Sequence, residues 1–208
     1  MKQLTSSYRL LWGIGIILLN FHVSLAQNKA QMTNKNGIYL TLDDYLHHRL
    51  LHPFSSSTKG YHFRLPRMSR LKLVTPDSTY TYSLEQIFGY REDGVDWCYK
   101  EGYLVEIMGH KAANSLSQEG LWLFSRQEWA ESGSTHTYFF SKNPKDELIW
   151  FSIKKIRDAY QDNPEFLDLL KLVPRSRLLD DSNKTGEPLI LDIFSTAHKL
   201  HFSYKGDN

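Results

Sequence analysis

Apolar residues recur at two different spacings along this chain, and the change between them divides it. Leu42, Tyr45, Leu46 and Leu50 fall at helical spacing behind Thr41, an N-cap residue with Asp44 three positions on, close to a capping box. Pro53 is expected to end that helix, and residues 55–60 (SSSTKG) read as a loop. From residue 61 the period shortens to two. Tyr61, Phe63 and Leu65 alternate with His62 and Arg64, and residues 71–74 and 79–83 are further β-prone runs across a turn at Pro76-Asp77-Ser78. Residues 83–86 read as one capped turn. Residues 87–91, 95–99 and 103–108, separated by Asp93-Gly94 and Glu101-Gly102, predict a three-stranded meander, because Gly accepts the positive φ of a tight hairpin. Alternation puts Val95, Trp97 and Tyr99 on one face, expected to be core with Tyr103, Val105 and Ile107 as partners. Asp96, Cys98 and Lys100 point the other way. Residues 109–120 read as a loop. Residues 121–125 and 135–141 read as strands joined by a linker (126–134) with room for a helical turn, and 148–151 as a last short strand.

The helical period returns after residue 152. Ser152 caps a helix carrying Ile153, Ile156 and Tyr160. Asn163 as N-cap, Pro164 at the first helical position and Glu165 in the first turn open another, with Phe166, Leu167, Leu169, Leu170 and Val173 as its apolar face and Pro174 as its stop. Residues 175–187 form a charged loop. The run 189–200 fits a helix or a strand equally.

Ahead of all this lies a different kind of segment. Lys2 and Arg9 precede an apolar run at 10–19 (LLWGIGIILL), and Ser24-Leu25-Ala26 supplies small residues at the −3 and −1 positions of a signal-peptidase site. That order is the order of a secretory signal peptide. The run is short of the ~20 residues that span a bilayer, so cleavage after Ala26 is expected, with no stable membrane insertion afterwards. The expected organisation is a signal peptide at 1–26, a flexible arm at 27–36 and a single α+β domain at 37–208, β-rich over 61–151 and helical over 152–200. The address is periplasmic or extracellular.

Composition changes this picture in two places. Removing Lys2 and Arg9 from the 25 basic residues balances the 23 acidic ones, so the mature chain is neutral. It has no broad electrostatic reason to seek nucleic acid or acidic lipid. The single Cys, Cys98, rules out an intrachain disulfide and a cysteine-based zinc cluster, and a buried structural thiol is expected.

The chemistry-bearing motifs are weak. His48 and His52 are four apart, the spacing of one helix face, with His47 beside them. They lie opposite the Leu42/Leu46 stripe, and His52 precedes Pro53, so a solvated face rather than a metal site is expected. Ser-x-x-Lys occurs at Ser69/Lys72 and Ser152/Lys155, with Lys184-Thr185-Gly186 further on. Ser152 already has a capping role, and the chain is short for a penicillin-binding enzyme. The patterns Gly-x-Ser-x-Gly, His-Glu-x-x-His and the phosphate loop do not occur in the mature sequence, and no cofactor is expected. Acid pairs (Asp43/Asp44, Asp93/Asp96, Glu101/Glu106, Asp180/Asp181) would serve a glycosidase only if they faced each other across a cleft. Aromatics are plentiful, with 5 Trp, 12 Tyr and 11 Phe. Most are expected to fill a core, and Trp97, Trp122 and Phe124 are the candidates for ligand binding. Trp122 and Phe124 alternate with Leu121 and Leu123, so that strand is apolar on both sides. Either both faces are covered or one carries a binding patch.

The leader ending in Ala26-Gln27, Gly37-Ile38-Tyr39-Leu40-Thr41 with Asp44-Tyr45, Ile87-Phe88-Gly89-Tyr90-Arg91, the strand at 103–107, Tyr138-Phe139-Phe140-Ser141 and Asp162-Asn163-Pro164-Glu165-Phe166 with Leu169-Leu170 occur in order over most of the mature chain. In these the chain resembles a family of small secreted proteins of unknown function from Bacteroidota. The resemblance implies export and a single domain, and it brings no activity, cofactor or catalytic residue. The fold expected is α+β: a curved antiparallel sheet of six to eight short strands, an N-terminal helix and two or three C-terminal helices. The function expected is a non-enzymatic exported module that binds a protein, peptide or glycan partner in the cell envelope. The alternatives are a hydrolase with an unrecognised carboxylate or His site, and a structural component of a surface assembly.

Overall fold

Two-residue turns dictate much of the pairing. The computed structural model describes residues 35–67, 69–113, 118–130, 133–182 and 185–205. The expected leader and residues 27–34 of the expected arm lie outside them. The fold is α+β. An eight-stranded antiparallel sheet has the order β11-β10-β9-β8-β7-β6-β1-β2, and a separate three-stranded sheet has the order β3-β4-β5. The large sheet uses β1 (Lys35–Tyr39), β2 (Leu51–Ser55), β6 (Gly89–Glu92), β7 (Val95–Lys100), β8 (Tyr103–Ala112), β9 (Gly120–Ala130), β10 (Gly133–Ser141) and β11 (Ile149–Trp150). The small one uses β3 (His62–Arg67), β4 (Arg70–Val74) and β5 (Thr79–Ser83). Helices α1 (Leu42–Leu46), α2 (Ile153–Ala159), α3 (Pro164–Lys171) and α4 (Leu189–Lys205) complete the described chain. No helix among the described residues is long and apolar enough to cross a membrane.

Several expectations are corrected here. One sheet of six to eight strands becomes two sheets of eight and three. The helix expected to reach Leu50 is only five residues long. Thr41 caps it, with the Thr41 hydroxyl and the Asp44 carboxylate exchanging bonds with each other's backbone N–H. It stops because His48 N–H donates to Tyr45 O at 3.0 Å and Arg49 N–H donates to Asp44 O at 2.7 Å, the bond pair of a Schellman motif. His48 holds the left-handed position of that motif, at φ +51°. Lys35 and Asn36, counted with the flexible arm, open β1. Asn36 is buried, and its side chain accepts Asp93 N–H at 2.9 Å. Pro53 sits inside a strand, which is tolerated because β2 is the edge of the sheet.

The meander forms, with its faces reassigned. Both turns place two residues at positive φ, Asp93 and Gly94 at +50° and +84°, Glu101 and Gly102 at +52° and +85°. Two-residue turns pair Glu92 with Val95 and Lys100 with Tyr103, so Trp97 lies opposite Glu106 and Cys98 opposite Val105. An odd position on β7 therefore meets an even one on β8. The core partner of Val105 and Ile107 is Cys98, not Trp97. The stretch expected as a loop from residue 109 is strand through Ala112, with a bulge between Ile107 and Gly109. The expected linker is the end of a hairpin, with Glu128 paired to Thr135 and Gln127 to His136.

Both faces of the large sheet carry buried apolar clusters. Tyr39, Cys98, Val105, Ile107, Trp122, Phe124 and Phe139 share one face with Leu42 and Tyr45 of α1. The opposite face is covered in two halves. Phe63, Leu71 and Leu73 of the small sheet pack on Ile38 and Tyr90, and helices α2 to α4 pack on Leu121, Leu123 and Phe140. Asn163 caps α3 by accepting Phe166 N–H at 3.0 Å. The ambiguous run at 189 becomes a helix because Ile190, Leu191, Ile193, Phe194 and Ala197 form one buried stripe on that sheet.

Candidate functional site

None of the three aromatic candidates offers an open platform. Trp122 and Phe124 are each 1% exposed. The Trp122 ring stacks on His110 at 4.3 Å, and its Nε1–H donates to Gln118 O at 3.2 Å. Trp97 is half-buried against the cluster formed by the small sheet. The rings that reach solvent on the α1 side of the sheet are Tyr103, 48% exposed, and Trp150, 59% exposed. Alternation had assigned Tyr103 to the core, and nothing in its local sequence marks it as exposed. Trp150 is exposed because β11 is a two-residue edge strand that leaves its ring without a neighbour on one side.

Arg126 and Phe139 join these two rings into a row of four side chains. The Arg126 guanidinium lies 4.3 Å from the Tyr103 centroid and 5.5 Å from that of Phe139. Phe139 meets Trp150 edge-on at 5.5 Å, as their register across β10 and β11 requires. Glu128, two positions on along the same strand, pairs with Arg126, whose Nε–H donates to it at 2.9 Å. The row therefore crosses β8 to β11 on one face, aromatic at both ends and cationic in the middle.

Beside it opens a cleft of about 690 Å³ between the start of α1, the Ile87-Phe88 turn, Lys100-Glu101 and residues 144–147. Lys100 fastens its far wall, donating to Pro144 O at 2.7 Å and to Asp146 O while its ammonium sits over the Phe124 ring. Burial pushes the Lys100 pKa down. Glu101 accepts Leu148 N–H. Asp43, Glu85, Glu101, Asp146 and Glu147 line the cleft against only Lys100 and Lys145, so it favours cationic groups. Cys98 forms part of the wall, but burial pushes its thiol up to about 12. At neutral pH it is a thiol and a poor nucleophile.

The histidines part company. His47 pairs with Asp43 at 3.0 Å, His52 stacks on Tyr80 at 4.4 Å, and His48 lines a separate small cavity. They share no helix face, because α1 ends before all three. Among the described residues, no group of three or more His, Cys, Asp or Glu is placed to hold a metal ion. Ser152 Oγ accepts Lys155 N–H at 3.3 Å as a helix cap, and Lys184 lies outside the described residues. Of the acid pairs, Glu101 lines the cleft while Glu106 accepts the Ser125 hydroxyl at 2.7 Å on the other face. Asp96 accepts the Tyr39 hydroxyl at 3.0 Å and lies 3.6 Å from Arg91. Burial raises the Asp96 pKa although Arg91 and Tyr39 both pull it down.

His110 supplies a test of this interior. Burial first, and the charges of Lys111 and His48 second, lower its pKa to about 4. In the unfolded chain an imidazole titrates near ~6.5. Between those values the unfolded chain binds a proton that the folded chain refuses. Stability contributed by neutral His110 is thus complete above the unfolded value and is lost as pH falls toward 4, by up to about 1.4 kcal/mol per pH unit. Urea melts across that window are expected to show this slope, and His110→Gln to flatten it. An unchanged slope in the variant would place the buried proton elsewhere.

Comparison of the chain with protein-family models, with curated proteins and with solved structures finds no match in any of the three.

Proposed function

We propose that this protein is an exported, non-enzymatic module that binds an extended peptide or glycan of the cell envelope along the α1 side of its large sheet. The observation that carries this reading is the row Tyr103–Arg126–Phe139–Trp150. Two large rings stand in solvent on a face where the other aromatics are buried, and a paired guanidinium spaces them. Exposed aromatics beside a fixed Arg suit stacking on a sugar ring or on an apolar peptide side chain. The neighbouring cleft, with five carboxylates against two lysines, adds affinity for cationic groups of the same ligand. The leader at 1–26 and the resemblance to secreted proteins of Bacteroidota support a periplasmic or extracellular address.

The test is a glycan array and a displayed-peptide library screened with the mature chain. Hits are then titrated against Trp150→Ala and Tyr103→Ala. Affinity is expected to fall about tenfold or more in each, as for an interface anchor, with little change in melting temperature because both rings are about half exposed. Equal binding by wild type and both variants would remove the row from function. Turnover of a bound compound, abolished by Glu101→Gln in the cleft, would instead establish the hydrolase reading.

A further inference from the structure

A second cavity, of about 140 Å³, lies at β1, away from the cleft. Its walls are Lys35, Tyr39, His48, Leu50, Pro53 and Arg91. The polar wall is thus three bases and a phenol, with no carboxylate. Arg91 is held only by long contacts: Nε is 3.6 Å from Asp96 Oδ1, Nη1 is 3.5 Å from the Tyr39 oxygen, and Nη2 is 3.4 Å from Gly94 O. Good N–H···O bonds fall at ~2.7–3.2 Å. The Nε atom is buried and turned toward Asp96, so what the cavity can use of Arg91 is the N–H groups of Nη1 and Nη2. A guanidinium carries five donors; Nη1 and Nη2 each make one bond to the protein here, which leaves each a second N–H.

The charges do not cancel. Asp96 offsets Arg91 and also interacts electrostatically with His48, though neither Lys35 nor His48 has a carboxylate within the 4 Å of an ion pair among the described residues. Tyr39 gives its proton to Asp96, so the donors left to face the cavity are those of Arg91, Lys35 and His48. His48 occupies the left-handed position of the Schellman stop, at φ +51°, where Gly would sit without strain. The same φ occurs at His52, Asp93 and Glu101, so it marks a position that Gly can fill without strain.

We infer that this cavity is a small-oxyanion site, taking a phosphate, sulfate or carboxylate group, free or at the end of a larger ligand, on Arg91, Lys35 and His48. The volume equals that of about four to five waters at ~30 Å³ each, which admits a four-oxygen anion. Arg91 offers charge-assisted bonds at the cavity wall, and Lys35 and His48, both exposed, line the same cavity.

The experiment is calorimetry and amide-shift titration of the mature chain with sodium phosphate, sulfate and acetate, each against chloride at matched ionic strength. Saturable one-to-one binding of at least one oxyanion is expected, and the order among the three tells phosphate-like from carboxylate ligands. Lys35→Ala and His48→Gly are each expected to weaken it about tenfold or more. His48→Gly is also expected to keep or raise the melting temperature, since it relieves the left-handed strain, so lost binding cannot be ascribed to unfolding. No saturation by any of the three anions overturns the site. So does binding that both variants leave intact. Trp150→Ala is expected to leave oxyanion binding unchanged, which separates this site from the aromatic row.

Discussion

Trp122→Ala is expected to lower the unfolding free energy by about 3–5 kcal/mol, the usual range for deleting a buried large aromatic. Trp122 is 1% exposed and sits where the covered face of the sheet is most aromatic. Its ring lies 4.3 Å from His110, 5.8 Å from Tyr45 and 6.4 Å from Phe88. Truncation would remove a partner from all three and leave Gln118 O without its donor. The neighbours cannot collapse into the space, because Tyr45 is fixed on the short capped helix and His110 on a central strand. A domain has ~5–15 kcal/mol in total, so the variant will be close to unfolding at room temperature. Trp97→Ala is the comparison. Trp97 is only partly buried, and its loss is expected to cost clearly less. Denaturant midpoints at constant slope measure both, and equal losses would show that the two tryptophans have been assigned the wrong depths.

Gly89→Ala is expected to be at least as damaging for a different reason. Gly89 opens β6 opposite Tyr39, and β6 lies between β1 and β7 inside the large sheet. A Cβ at Gly89 would fall well inside contact distance of the Trp97 carbonyl oxygen, 3.2 Å from its carbon and 3.5 Å from Cys98 Cα. All of these are backbone atoms of the paired strand, so no side chain can swing away. Relief would require β6 and β7 to separate, with loss of the adjoining ladder bonds. The expected cost is at or beyond the upper end of the ~1–3 kcal/mol typical of overpacking. Gly102→Ala isolates the other role of glycine. Nothing lies within 4 Å of a Cβ there, but φ is +85°, so only backbone strain of about 1 kcal/mol is expected. If Gly89→Ala melts like Gly102→Ala, the β6–β7 pair is less tightly apposed than the structure has it.

Much of this architecture is written locally. The Thr41 capping box, the caps at Ser152 and Asn163, the Asp93-Gly94 and Glu101-Gly102 turns and the β-prone runs of β3 to β5 are read from a few adjacent residues, and each forms. These signals are legible because the atoms that satisfy them lie within four positions along the chain. Burial of Cys98 was legible from residue type alone.

The rest depended on distant partners. The two-sided apolar run Leu121 to Phe124 announces that both faces are covered, but not that a small sheet and three helices divide one of them. The β9–β10 hairpin end shows no alternation because β8 no longer accompanies it past Ser125, so its apolar period is absent although its pairing continues. Pro53 reads as a helix stop until β2 is known to be an edge. Tyr103 and Trp150 follow the same rule. Alternation fixes which face a ring is on, but whether that face is covered at that point is a matter of what folds back over it. The oxyanion cavity is the least legible of all, since Lys35, His48 and Arg91 meet only when β1 is inserted between β2 and β6, and no spacing along the chain records that insertion.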